Sequence, residues 1–319
     1  MNAKHFHFIL LFALGIGSAD PAFAQSSVSI QNYKLPSQNE TLCIKKQFVK
    51  GSHHERHIVL VHGLTYSSHV FNVDTQDYSL VRFLVQHGLT VWTLDLAGYG
   101  CSSKNNKNGF IYDTEHASKD LINAIRFIRK SSTVDKVHLM GWSFGTVVAS
   151  RVALEKPQWL SKLVLFAPIV RGFDEKAPHE AWHPNTWQHA ASDFPTTKEG
   201  TIDFSRVEPQ VVHHFLSNCW KYDKESSPNG GRHDLFQGRA KELIALDKLR
   251  TPTLILGGDA DPYLDWPWIE KILAQQKKTL IKLTRFKQGS HILMLEKQIY
   301  RPFRQALLDF VVGPTIPSY

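Results

Sequence analysis

The chain has 319 residues, 42% of them hydrophobic, and a net charge of +8. The apolar content is ample for a packed core, and the length fits one large domain with an insertion as well as two domains. Basic residues such as Lys277, Lys278, Lys282 and Lys287 are scattered among apolar positions, as on a solvated face, and no basic block interleaved with aromatics argues for nucleic acid.

In chain order, Lys4 precedes the apolar run Phe8 to Ile16, which gives way to Ala22-Phe23-Ala24 before Gln25. This is the pattern of a secretory signal peptide with an A-x-A cleavage site, residues 1–24. A membrane anchor needs about 20 continuous apolar residues, and Gly15, Gly17 and Asp20 interrupt this run. The expected product is exported, periplasmic or secreted, with no stable membrane span after cleavage. Cys43, Cys101 and Cys219 are an odd number in a disulfide-permitting compartment, so at most one bridge forms within the chain. None belongs to a C-x-x-C pair, which argues against cysteine-based redox or zinc chemistry.

Two early runs, Ser29 to Leu35 and Leu42 to Val49, suit an antiparallel edge. Short apolar or β-branched runs then predict strands at Ile58 to His62, Thr90 to Asp95, Lys136 to Met140, Leu163 to Ala167, Thr253 to Leu256 and Leu280 to Phe286. Helical spacing occupies Tyr78 to Gln86, Glu115 to Arg129, Thr146 to Glu155, Trp268 to Gln275 and Tyr300 to Val311. The alternation predicts a mainly parallel sheet. It breaks between roughly Ile169 and Asp247, where strand signals vanish and Trp182, Trp187, Trp220, several prolines and several histidines accumulate. That segment reads as an insertion over the edge where open α/β sheets bind ligands.

The strongest motif is Gly141-Trp142-Ser143-Phe144-Gly145, a G-x-S-x-G turn between a buried strand and a helix. Gly141 and Gly145 leave space for the sharp reversal, so Ser143 can take a strained backbone with its hydroxyl exposed. A serine hydroxyl needs a base, and the base needs an acid that fixes its tautomer. His291 follows the last strand in Gln288-Gly289-Ser290-His291 and is the favoured base. Asp261 ends the strand-turn Leu254 to Pro262 and is the favoured acid, with Asp259 its nearest rival and Asp265 and Asp174 on other loops. The order Ser143, Asp261, His291 excludes the orders of the two common serine protease folds. For the oxyanion, the amide of Phe144 is one candidate donor, and the amide of Leu64 after Gly63 is the other.

His62-Gly63, the run Asp95 to Ser102, the Ser143 elbow, and Asp261 with His291 together resemble the α/β-hydrolase superfamily, on the branch with a helical cap. The resemblance spans residues 58–310. It implies an α/β-hydrolase fold: a mainly parallel eight-stranded sheet flanked by helices, with residues 25–168 and 248–319 as core and 169–247 as an inserted helical cap. It marks Asp95 as structural. It also implies cofactor-free hydrolysis of an ester, thioester, lactone or amide through an acyl-enzyme on Ser143, with no metal. Serine rather than aspartate at the elbow departs from the dehalogenase and epoxide hydrolase branches. The leading expectation is a carboxylic ester hydrolase taking a small-molecule acyl substrate. An aminopeptidase-like amide hydrolase or an acyltransferase would use the same triad, and Glu175, Glu180, Glu199 and Glu208 leave recognition of a substrate amine open.

Two other classes weigh less. His179-Glu180-Ala181-Trp182-His183 is a literal H-E-x-x-H, the pattern of a zinc hydrolase. Pro184 disfavours helical geometry at His183 and Pro178 precedes the motif, so the required long helix is not expected. A binding protein retaining the scaffold without turnover would usually have lost a triad residue or an elbow glycine, and this chain keeps them all. The sequence leaves the oligomeric state open.

Overall fold

A computed structural model describes residues 28–51, 55–276 and 280–313. The segment 1–24 read as a signal peptide, together with Lys277 and Lys278, lies outside the described residues. Among the described residues, ten strands and eight α-helices follow in chain order: β1 (Val28–Ser37), β2 (Glu40–Val49), β3 (His57–Val61), α1 (Leu80–Gln86), β4 (Thr90–Asp95), α2 (Thr114–Ser132), β5 (Val137–Trp142), α3 (Phe144–Glu155) and β6 (Leu160–Phe166). Then come β7 (Trp182–Pro184), α4 (Trp187–Ala191), α5 (Pro209–Asp223), β8 (Ser226–Pro228), α6 (Gly230–Leu235), β9 (Thr253–Gly258), α7 (Trp266–Ala274), β10 (Ile281–Phe286) and α8 (Tyr300–Val312).

Eight strands form one sheet in the order β1-β2-β4-β3-β5-β6-β9-β10. The β1–β2 and β2–β4 pairings are antiparallel and the rest parallel, as the sequence pattern predicts. Because successive side chains point to opposite faces, a strand buried on both sides must be apolar throughout. In β3, Val59 and Val61 join the core layer containing α2, α3 and α7, while Ile58 and Leu60 join the layer containing α1 and α8. All four are fully buried.

The helices start where the chain supplies an oxygen for an otherwise unpaired amide. Asp113 caps α2 by accepting from the His116 amide, and Asp265 caps α7 by accepting from the Trp268 amide. The segment between β6 and β9 is not free of strands, contrary to the sequence pattern: β7 and β8 form a small antiparallel ribbon. Each has only three residues, too few for alternation to show, and both end in proline. α5 anchors this segment by burying Val211, Val212 and Phe215 against the main core.

Of the three cysteines, Cys43 and Cys101 form a disulfide and Cys219 is free and buried. The disulfide joins β2 to the turn after β4, where Cys43 is already the cross-strand neighbour of Asp95. No helix among the described residues is long and apolar enough to cross a membrane.

Candidate active site

Parallel strands deliver their carboxyl ends to one edge of the sheet, and the residues singled out from sequence arise there. β5 runs into Ser143, which precedes α3 with φ 55° and ψ −122°. Such a conformation costs a residue with a side chain on the order of 1–3 kcal/mol. The reversal is held by the Ser143 amide, which donates to the Phe166 carbonyl of β6 at 3.0 Å. A side chain on Gly141 would collide with the Gly145 carbonyl, which is why this turn needs small residues at both positions.

β9 and β10 bring the acid and the imidazole together. A Cβ on Gly258, the last residue of β9, would overlap the Gly289 backbone, so the loops after the two strands touch. Across that contact His291 Nδ1 lies 2.8 Å from Asp261 Oδ2, with both side chains almost wholly buried. Asp261 Oδ1 accepts from the Tyr263 amide at 3.0 Å, which fixes the carboxylate plane. Burial disfavours the imidazolium of His291, but the Asp261 carboxylate, with a smaller contribution from Asp193, outweighs it and the pKa is raised above the ordinary histidine value. The rival acids do other work. Asp259 is exposed and accepts from the Gln288 amide, Asp265 caps α7 and pairs with Arg171, and Asp174 accepts from the Arg239 amide.

The His291 loop is braced twice. Ser290 donates through both its amide and its hydroxyl to the buried Glu296 carboxylate at 2.7 Å, and Glu296 pairs with Arg206. Trp142, beside the serine, donates from Nε1 to the His291 carbonyl at 3.1 Å, and the two rings lie 5.5 Å apart. Sequence reasoning found no role for Trp142. Nothing in a G-x-S-x-G pattern signals that its second residue reaches 149 positions along the chain.

The turn after β3 forms the opposite wall. His62 is fully buried; its Nδ1 donates to the Gly63 carbonyl at 2.8 Å and its Nε2 accepts from the Leu96 amide at 3.1 Å. Burial holds its pKa down, in keeping with a neutral imidazole that packs the loop. Among the described residues, no protein acceptor takes the amide hydrogen of Leu64 or Phe144. Asp95 accepts from the Ser68 amide and hydroxyl and from the Cys101 amide, so it ties loops together away from the serine.

Ser143 and His291 line one cavity of about 110 Å³. Leu64, Ile169, Phe173, Leu235 and Phe236 supply apolar wall, and Thr65, His189, Asp193 and Arg232 supply polar wall. Burial pushes the Asp193 carboxyl up to about 6; His291 and Arg232 pull it back down, while Asp261 adds to the rise. Asp193 and Arg232 were not among the sequence-derived candidates. The available signal was Gly230-Gly231 before Arg232, since a Cβ on Gly231 would meet the Phe144 ring at 2.7 Å. That contact presses the start of α6 against the elbow.

The H-E-x-x-H stretch does not form a helix: His183 lies in β7 and His179 in the irregular chain before it. The two histidines therefore do not share a helical face, and His183 Nε2 instead faces His189 Nδ1 at 3.1 Å. The acids Glu175, Glu180, Glu199 and Glu208 do not line the cavity that holds Ser143.

Known proteins share this architecture. An esterase from Exiguobacterium antarcticum superposes with a TM-score of 0.63 at 15% identity, covering 88% of this chain and all of the other. At that identity the likeness concerns the fold. In sequence, a Vibrio parahaemolyticus pimeloyl-[acyl-carrier protein] methyl ester esterase is 30% identical over 128 residues, 40% of this chain and 42% of the relative. The Caenorhabditis elegans abhydrolase domain-containing protein abhd-5.2 is 33% identical over 124 residues, 39% of this chain and 25% of the relative. The matched stretches thus span less than half of these curated relatives. A family model described as "Serine aminopeptidase, S33" matches residues 52–298, most of the chain, and the protein belongs to that family of α/β-hydrolases.

Proposed function

We propose that the protein is an exported serine hydrolase that cleaves a carboxylic ester through an acyl-enzyme on Ser143. The observation that carries this reading is the buried Asp261–His291 pair at 2.8 Å, which shares one cavity with a serine held at φ 55°. His291 takes the Ser143 hydroxyl proton as the oxygen adds to the substrate carbonyl, and Asp261 holds the imidazole with Nδ1 protonated. The unclaimed Leu64 and Phe144 amides stabilise the tetrahedral oxyanion. Collapse breaks the bond to the alkoxide, which leaves with the proton from His291. Water then enters, gives its proton to His291 and releases the acid as Ser143 recovers its hydrogen.

Esterase names recur among its relatives and structural neighbours, which supports ester over amide cleavage. The family description favours a second reading, aminopeptidase-like amide hydrolysis by the same three residues. Export rests on the N-terminal A-x-A pattern and on the Cys43–Cys101 disulfide, a bond that persists in oxidising compartments. The test compares p-nitrophenyl esters of graded chain length with aminoacyl anilides, using wild type, Ser143→Ala and His291→Ala. Ester cleavage lost in both variants, with folding intact, is the expected result. Turnover retained by Ser143→Ala would overturn the mechanism, and cleavage of anilides alone would overturn the ester assignment.

A further inference from the structure

Arg232 presents a charge that the proposed hydrolysis does not use. Its side chain lines the cavity that holds Ser143 and is about nine-tenths buried. An arginine guanidinium stays protonated in proteins, and a buried charge is costly unless a counter-charge offsets it. Yet its bonds go to neutral oxygens: Nη1 donates to Ser227 Oγ and the Pro228 carbonyl at 3.2 Å each and to Asn229 Oδ1 at 3.5 Å, and Nη2 donates to Thr65 Oγ1. Among the described residues no carboxylate forms a direct ion pair with it; the Asp193 carboxyl across the cavity favours its charge only at longer range. These neutral bonds fix the fork in place without cancelling its charge.

Among the described residues, Asp193 is the only acid lining the same cavity. It is half-buried and protonates readily for a carboxylic acid, with its pKa near 6. Asp193 thus offsets part of the Arg232 charge, and it can turn into a hydrogen-bond donor when a second carboxylate enters, leaving the guanidinium to meet the newcomer. Thr65 directly follows Leu64, so the group that steadies Arg232 and the candidate oxyanion amide belong to one turn. The cavity of about 110 Å³ suits a short acyl chain between the guanidinium and Ser143.

We propose that Arg232 anchors an anionic group on the substrate, and that the preferred substrates are half-esters of short dicarboxylic acids, with the free carboxylate held by the guanidinium while the ester carbonyl meets Ser143. This rests on the hydrolase reading of the same cavity. Arg232 is here a specificity residue: it binds the far end of the acyl chain and takes no part in proton transfer. A charge-assisted bidentate contact is the stronger class of hydrogen bond, and losing it costs about 10- to 100-fold in kcat/KM.

The experiment follows acid release from monoethyl succinate and monoethyl glutarate against ethyl butyrate and ethyl valerate. Wild type is expected to prefer each half-ester over its neutral partner by at least about tenfold, and Arg232→Met to collapse that ratio. Arg232→Lys, which keeps the charge but not the fork, falls between. In a parallel arm, monoethyl glutarate raises the Tm of Ser143→Ala and ethyl valerate does not. If Arg232→Met fails to fold, the wild-type ratio and the Ser143→Ala melting shift still decide. Neutral esters turned over as well as half-esters, with no selective melting shift, overturn the anchor and leave the hydrolase standing. A selective melting shift in a protein that hydrolyses none of the esters retains the anchor and overturns the hydrolase.

Discussion

Replacing Asp261 with asparagine gives the sharpest test of the site, because it changes one charge and almost no volume. In the native pair the carboxylate accepts from His291 Nδ1 at 2.8 Å, and both side chains are shielded from water. Solvent therefore cannot take the place of the lost partner. An amide at that position can donate to Nδ1, which stabilises the tautomer with its proton on Nε2, where the nitrogen cannot accept from Ser143. A plateau loss on the order of 10³- to 10⁴-fold follows, equivalent to about 4–5.5 kcal/mol of barrier. The pH profile gives an independent reading. The pKa of His291 is raised because Asp261 outweighs burial, so a base that must be neutral loses activity as pH falls through a value above 6.5. Removing the carboxylate leaves burial opposed only by the smaller effect of Asp193, and the acid limb of kcat/KM must move to lower pH. Stopped assays across pH with one ester, together with a melting curve to confirm folding, measure both. A variant with an unchanged plateau, or a limb displaced upward, would refute the assignment of Asp261 as the orienting acid.

Three other perturbations probe the supports. Ser143→Gly should abolish turnover yet raise Tm by a few degrees, since glycine adopts φ 55° freely and relieves strain of about 1–3 kcal/mol, part of it offset by the flexibility of the unfolded chain; calorimetry showing a lower Tm would contradict the strain. Trp142→Phe removes the donor to the His291 carbonyl while keeping a ring, so kcat should fall about 10- to 100-fold with KM little changed, and equal effects on both would point to a collapsed pocket instead. Cys43→Ser with Cys101→Ser opens a loop spanning 58 positions, worth about 4 kcal/mol on chain-entropy grounds. Tm should then drop on the order of 10 °C, as should that of wild type under strong reductant.

How much of this was legible in the sequence depends on the range over which each signal acts. The stretch Ile58 to Val61 of β3 read directly, because a strand buried on both faces has to be apolar on both. Ser143 read from its flanking glycines, a steric requirement confined to five residues. Asp261 is favoured in the sequence, yet Asp259 stays its nearest rival, since both sit in one acidic turn and only the approach of β10 decides which reaches His291. Arg232, Asp193 and the hydrogen bond from Trp142 were invisible for the same reason: each acquires its role from partners far away in the chain. The β7–β8 ribbon was missed because three-residue strands show no period.

The placement of the site has a consequence for how such a protein can change. The serine, acid and imidazole come from the ends of β5, β9 and β10, whose positions are locked by the sheet. Much of the cavity wall, Ile169, Phe173, Asp193, Arg232, Leu235 and Phe236, comes from the chain between β6 and β9, while Leu64 and Thr65 come from the turn after β3 and Tyr263 from the loop after β9. Most of the wall, though not all of it, is thus inherited on a stretch of chain separate from the serine, acid and imidazole. Substitutions in the walls can retarget the enzyme one contact at a time while the chemistry is passed on intact.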